Sequence, residues 1–251
     1  MYQYMAYFSD PITTACAILM RYRANMVHVA RIDKLSDDAK IPKETKKYMT
    51  NTENLFFTEK YDFYKGKEKT DFLFHIDKLK IKKGGLYVIK GENGSGKSMF
   101  LNLLFGNVKL SFSRGGFILT DEMDEAAFLT YPIFTVDGDF MKNMYEIPID
   151  KELMHLLQVD FSDKEILSNP VNLSYGQQQK LALLRVFGLN SPILFLDEPL
   201  SNLDKKTQEN VVAYIRKLKG EKTILVVMHS DELDEAADSV IYIENKKLIQ
   251  K

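Results

Sequence analysis

The 251-residue chain carries 34 lysines and arginines against 35 aspartates and glutamates, a formal net charge of -1, with 45% hydrophobic and 27% charged residues. That balance suits a soluble globular protein with a substantial core and gives no global electrostatic reason to expect nucleic acid or an anionic membrane surface. The lone cysteine, Cys16, excludes an intrachain disulfide and a cysteine metal cluster, and no stretch reaches the roughly 18 consecutive apolar residues that a membrane-spanning helix requires.

The opening "MYQYMAYFSD" lacks the basic and apolar regions of a secretory signal, so cytosolic exposure is expected. "SDP" at Ser9–Pro11 is a cap residue followed by proline at a first helical position. Ile12, Cys16, Leu19, Met26 and Ala30 then recur on one face, predicting a helix to about Ile32 within an N-terminal segment 1–35. The polar, proline-containing run from Ser36 reads as a linker over 36–53, ahead of a main domain over 54–251. "NLFFTEKYDFYKG" and "FLFHIDKLKIKKGG" read as antiparallel strands separated by a charged turn. The lysines of "KLKIKKGG" are expected to form a solvated strand face, and nucleic acid is not expected as a partner.

"LYVIKG" is a strand running into a glycine-rich loop, and "SMFLNLLFG" is a helix closed by Gly106. "PILFLDE" and "KTILVVMHS" are continuous apolar runs of the kind buried on both faces of a parallel sheet, and "KKTQENVVAYIRKLKG" supplies the helical crossover between them. The class is α/β. Two similar octapeptides, "DEMDEAAF" and "DELDEAAD", are read as acidic first turns of helices rather than as a repeat, because their flanks do not match.

The loop "GENGSGKS", Gly91, Glu92, Asn93, Gly94, Ser95, Gly96, Lys97 and Ser98, fits G-x-x-x-x-G-K-[ST] in the required strand-to-helix context. Its glycines let successive backbone amides turn toward phosphate oxygens, Lys97 supplies a charge for the β and γ phosphates, and Ser98 offers an oxygen to Mg²⁺. About a hundred residues on, "ILFLDE" ends its strand on Asp197 and Glu198. An acid at that end of a parallel strand lies where such sheets bind ligands, which makes Asp197 a direct or outer Mg²⁺ partner. Glu198 remains as a buried carboxylate able to orient or deprotonate an attacking water. "NLSYGQQQK" places a serine hydroxyl and free amides at the head of an apolar helix, a second place suited to phosphate.

Taken in order, "GENGSGKS", "LSYGQQQK", "ILFLDE", "SNLD" and "VVMHS" resemble the nucleotide-binding domain of ATP-binding cassette (ABC) proteins over about Asn54 to Lys251. The resemblance implies a P-loop NTPase fold of ABC type, with a mixed sheet core, an antiparallel β subdomain and a helical subdomain carrying the signature. It implies ATP and Mg²⁺ as ligands and ATP hydrolysis as the activity. Ser174, Gly176 and Gln177 are then the signature residues acting in trans on the ATP of a second cassette, in a homo- or heterodimer. Ser201 to Asp204 form the loop at the dimer contact, His229 is the switch histidine at the γ phosphate, and Tyr64 stacks on adenine, with Tyr61 or Phe63 as alternatives in register. His28, His75 and His155 stay structural or surface residues.

Two departures stand out. The stretch "FLTYPIFTV" holds no glutamine where the family carries one that senses Mg²⁺ and the membrane partner, and puts Tyr131 or Thr130 there; Gln158, the one glutamine between Gly91 and Asn172, comes well after it. Tyr175 replaces the commoner glycine of the signature. The short span from Ser98 to Leu173 does not resemble the coiled-coil members of chromosome maintenance, and one cassette differs from the paired cassettes of translation factors. The segment "DPITTACAILMRYRANMVHVARIDKL" resembles the end of the last transmembrane helix of exporters whose membrane and ATPase domains share a chain. The expected role is an ATPase subunit of an ABC exporter, cytoplasmic and peripheral on the inner face of the cell membrane, docked on a transmembrane subunit. The alternative is a soluble ABC ATPase in an assembly or regulatory complex.

Overall fold

The computed structural model describes residues 47–48, 53–65, 71–105, 110–112, 117–119, 125–129, 131–145 and 147–251. The expected N-terminal helix, the "DEMD" of the first octapeptide, Gly106 and Thr130 lie outside them. The described strands are β1 (Lys47–Tyr48), β2 (Asn54–Lys65), β3 (Asp71–Lys82), β4 (Leu86–Gly91), β5 (Leu110–Phe112), β6 (Phe117–Leu119), β7 (Ala127–Leu129), β8 (Ile193–Asp197), β9 (Thr223–Val227), β10 (Ser239–Glu244) and β11 (Lys247–Gln250). The described helices are α1 (Lys97–Phe105), α2 (Phe140–Asn143), α3 (Lys151–Leu156), α4 (Tyr175–Gly188) and α5 (Lys205–Leu218).

The sheet runs β1-β6-β2-β3-β11-β10-β4-β9-β8-β7, with β5 paired to β2. From β10 to β7 every pairing is parallel, whereas β2 pairs antiparallel with β3, β5 and β6. The mixed sheet and its antiparallel extension follow the sequence expectation. At the other edge Lys47 and Tyr48, within the stretch read as a linker, pair with Ile118 and Leu119. Composition marks that stretch as polar, but a strand edge needs only backbone hydrogen bonds, so the sheet begins ahead of Asn54.

β4, β8 and β9 are buried almost throughout and largely apolar, because both faces are covered. Leu86 and Val88 of β4, Leu194 and Leu196 of β8 and Ile224 and Val226 of β9 pack with α4 and α5 in one core. Tyr87 and Ile89, Ile193 and Phe195, and Leu225 and Val227 point the other way, into a core shared with α1 and the antiparallel strands. Fully burying a side chain such as Phe195 contributes roughly 1.5–3 kcal/mol. Helix starts are set locally. Asp150 caps α3 by accepting from the Glu152 and Leu153 amides, and Asp204 caps α5 by accepting from Thr207 N at 3.0 Å.

The second octapeptide behaves differently from the helix start expected of it. Only Asp234–Ala236 form a short 3₁₀ turn, without a side-chain cap. Its acids serve tertiary contacts instead: the buried Lys90 ammonium donates to the carboxylates of both Asp231 and Asp234. Burial alone pulls Lys90 down, but the two carboxylates together hold it above the usual lysine value, and Asp231 is held below the usual carboxylate range. Paired burial of this kind is what makes an internal lysine tolerable.

Candidate active site

β4 ends at Gly91 and α1 begins at Lys97, so the glycine-rich loop sits at the carboxyl end of a central strand. Gly96 has φ +101°, and a Cβ there would lie 2.6 Å from the Phe74 ring, so neither the backbone turn nor the space admits a side chain. Lys97 is buried and its ammonium donates to Gly91 O at 2.9 Å and Glu92 O at 3.0 Å. The Lys97 charge is thus held over the loop by carbonyls that a phosphate can outcompete. The Ser95 hydroxyl is buried without a partner.

Beside the loop lies a cavity of about 770 Å³ lined by residues 91–96 together with Phe72, Tyr242 and Lys246. None of the three aromatics proposed for adenine from sequence lines it. Tyr61 and Phe63 are buried against each other, with ring centroids 4.5 Å apart. Tyr64 stands directly across from Phe72 in the β2–β3 register, and its ring meets Phe72 edge-on at 5.5 Å. Phe72 lines the cavity along with Phe74 and Tyr242, and the Lys246 ammonium lies 5.9 Å from the Phe72 ring centroid. The register of the hairpin, invisible in composition, decides which ring of the Tyr64–Phe72 pair lines the cavity.

Asp197 closes β8 at 7% exposure, and its Oδ1 has no hydrogen-bond partner. Burial pushes its pKa up, opposed by a hydrogen bond from the Ser98 side chain. A buried carboxylate oxygen left open beside a serine hydroxyl fits Mg²⁺, which takes few protein ligands and keeps waters and substrate phosphates. Ser98 and Asp197 are the residues that would hold it.

Glu198 follows at φ +48°, and its Oε1 lies 3.2 Å from His229 Nε2. The two residues named from separate strand ends are thus brought into contact. The sequence expectation of a buried Glu198 is corrected: its side chain is 44% exposed and that of His229 52%. The left-handed backbone turns Glu198 out of the core that receives the rest of β8.

The signature residues do something definite within the single chain. Ser174 and Gln177 form a reciprocal cap of α4, Ser174 Oγ accepting from Gln177 N and Gln177 Oε1 from Ser174 N, both at 3.2 Å. A Cβ on Gly176 would lie 2.7 Å from Asn202 O, so this glycine is required by the loop 199–204 packed against it. Asp204 also pairs with Lys180 of α4 at 3.6 Å. Ser201 donates from both its amide and its hydroxyl to Glu198 O, at 3.1 and 2.9 Å. Tyr175 is 77% exposed at the head of α4. Ser174, Gly176 and Gln177 are not among the residues lining the cavity beside the phosphate loop. Sequence reading missed Phe72 and the Lys90 clamp; the i, i+3 spacing of Asp231 and Asp234 after the histidine strand was the available signal for the latter.

Residues 74–201 match the family model described as ABC transporter. The "Probable ABC transporter ATP-binding/permease protein" of Haemophilus influenzae is 31% identical over 68% of the chain and 35% of its own length. An "ATP-dependent lipid A-core flippase" of Neisseria meningitidis is 31% identical over 69% of the chain and 31% of its own length. A "Probable sulfate/thiosulfate import ATP-binding protein CysA" of Chlorella vulgaris is 29% identical over 68% of the chain and 81% of its own length. The chain therefore spans about a third of the first two and most of the third.

Proposed function

The chain belongs to the ABC transporter family, and from that premise we propose that it is the ATP-hydrolysing subunit of an exporter, working as a dimer docked on membrane subunits. The observation that carries hydrolysis is the Glu198–His229 contact, set beside a phosphate loop and an open Asp197 oxygen. ATP would lay its phosphates along the amides of residues 91–98, with the base toward Phe72. Mg²⁺, held by Ser98 and Asp197, would supply charge neutralisation on the phosphates. Glu198 would take a proton from water as the water oxygen bonds to the γ phosphorus and the bond to the bridging oxygen breaks, giving ADP and phosphate. His229 would orient that carboxylate and donate toward the γ phosphate. The half-exposed Glu198 and the exposed head of α4 support a second cassette, whose Ser174, Gly176 and Gln177 would cover the ATP of the first; Ser201 and Asp204 would lie at the contact.

The exporter assignment rests on the segment from Asp10 to Leu35, which lies outside the described residues. Among the described residues no helix is long and apolar enough to cross a membrane. The decisive experiment compares the chain with Glu198→Gln. Mg²⁺-dependent phosphate release is expected to fall by about two to three orders of magnitude, while ATP binding persists and light scattering shows a dimer in saturating ATP. Equal turnover in the two proteins overturns hydrolysis through Glu198, and a variant that stays monomeric in ATP overturns the paired-cassette arrangement.

A further inference from the structure

Tyr131 stands at the loop where the family glutamine is missing, and its hydroxyl joins three parts of the chain. The phenol donates to Gln179 Oε1 on α4 and lies 2.6 Å from Ser201 Oγ. Gln179 is fully buried, and its amide nitrogen donates to Pro199 O at 3.0 Å and reaches Glu198 O at 3.4 Å. Ser201 Oγ and Ser201 N–H point at the same Glu198 carbonyl. Two hydroxyl hydrogens serve three short contacts, so the group is one shared network rather than a set of separate bonds.

The carbonyl at the centre of this network belongs to a non-glycine residue with φ +48°. Such a conformation persists only where the surroundings enforce it. It is also what turns the Glu198 side chain out of the strand and into contact with His229. Gln179 and Ser201 hold the carbonyl directly. Tyr131 holds Gln179 and Ser201 in place, and it belongs to a segment whose other end is tied to α4 through Arg185 Nη1 donating to Phe134 O at 2.7 Å. Burial pushes the Tyr131 hydroxyl up in pKa, against bonds from Ser201 and Asn202 that pull it down, so it remains a proton donor through the neutral range.

We propose that Tyr131 is a positioning residue for hydrolysis: through Gln179 and Ser201 it fixes the Glu198 backbone, and so makes the water-activating carboxylate answer to the placement of the 131–136 segment. This rests on the ATPase reading above. Tyr131 touches neither ATP nor metal in this account; it acts through the backbone of another residue.

The test uses the full chain with ATP and Mg²⁺, comparing wild type, Tyr131→Phe, Ser201→Ala, the double variant and Glu198→Gln. Tyr131→Phe keeps the ring and removes only the hydroxyl, and its kcat is expected to fall about 10-fold with KM for ATP within about twofold of wild type. The double variant is expected to be no slower than the slower single one, because both remove the same network. Amide exchange across 198–204 is expected to accelerate in Tyr131→Phe, with 91–98 unchanged. Wild-type kcat, a loss carried by KM, multiplied effects in the double variant, or unaltered exchange across 198–204 each overturns the proposal. If Glu198→Gln matches wild type, or wild type does not turn over, the ATPase reading is what fails, and the exchange measurement alone then decides whether Tyr131 holds that backbone.

Discussion

The two ends of the parallel strands are built from the same residue types to opposite ends. At the amino ends every polar group named is answered: Leu86 N–H donates to Asp238 Oδ2 at 2.9 Å, Gly84 N–H to Thr223 Oγ1 at 2.9 Å, and Gly220 N–H to Gly84 O at 2.8 Å. At the carboxyl ends Asp197 Oδ1 and Ser95 Oγ are buried and unanswered, and Glu198 is held in a left-handed conformation. Unmet hydrogen-bonding capacity costs stability wherever it is buried. That Asp197 Oδ1 and Ser95 Oγ both lie at the end that carries the phosphate loop marks a surface prepared for a ligand, while the bonds named at the other end serve the fold.

That contrast breaks most easily at Lys97. Replacing it by alanine removes the loop's fixed charge, and ATP affinity measured by calorimetry is expected to fall about 100-fold, in line with loss of charge-assisted hydrogen bonds. The melting temperature without nucleotide should change far less than the affinity, since the bonds lost are only those from the Lys97 ammonium to two loop carbonyls. Phe72→Ala comes next. Loss of a base-stacking ring is expected to weaken ATP about 10-fold, and Tyr64→Ala should have a smaller effect because Tyr64 reaches the cavity only through the Phe72 edge. The reverse order would return the base platform to Tyr64.

Those two predictions also divide what the sequence made legible from what it did not. Lys97, Ser98, Asp197 and Glu198 were readable because each is fixed by a local rule: a glycine spacing, or an acid at the end of an apolar strand. The contact of His229 with Glu198 needed β8 and β9 to be neighbours, which the two apolar runs and their crossover helix implied. Phe72 was not readable, because choosing among aromatics on a hairpin depends on register, and β2 and β3 shift register between Phe63 and Tyr64. The two hydrogen bonds from Lys90 to Asp231 and Asp234 span more than a hundred residues, and the i, i+3 spacing of the acids does not say which cation they meet. The role of Ser174 and Gln177 as a helix cap is present in the S-x-x-Q pattern itself, which suits a capping box as well as a phosphate.

At the amino ends a substitution should cost stability and nothing else. Thr223→Val keeps the shape and removes the acceptor of Gly84 N–H, and chemical denaturation is expected to show about 1–2 kcal/mol lost. ATP affinity and turnover should be unchanged. A fall in turnover at unchanged stability would dissolve the division between the two ends.

At the carboxyl ends the sign should reverse. Burial raises the Asp197 pKa above the ordinary carboxyl value, so the folded chain holds the proton more tightly than the unfolded chain does. A carboxyl shifted in that direction imposes no penalty below the unfolded pKa and an increasing one as pH rises toward the folded value, because the unfolded state ionises first. Asp197→Asn removes the ionisation and with it the penalty, so the nucleotide-free variant is expected to melt about 2 °C above wild type at pH 7. Below about pH 4, where the wild-type carboxyl is protonated in both states, the gain should vanish. The same variant should lose the Mg²⁺ dependence of ATP binding, which ties the stability gain to the function given up. A variant less stable than wild type at pH 7 would mean that the ionised carboxylate is held by its surroundings rather than kept open for a cation, and the distinction between a prepared end and a satisfied end would no longer stand.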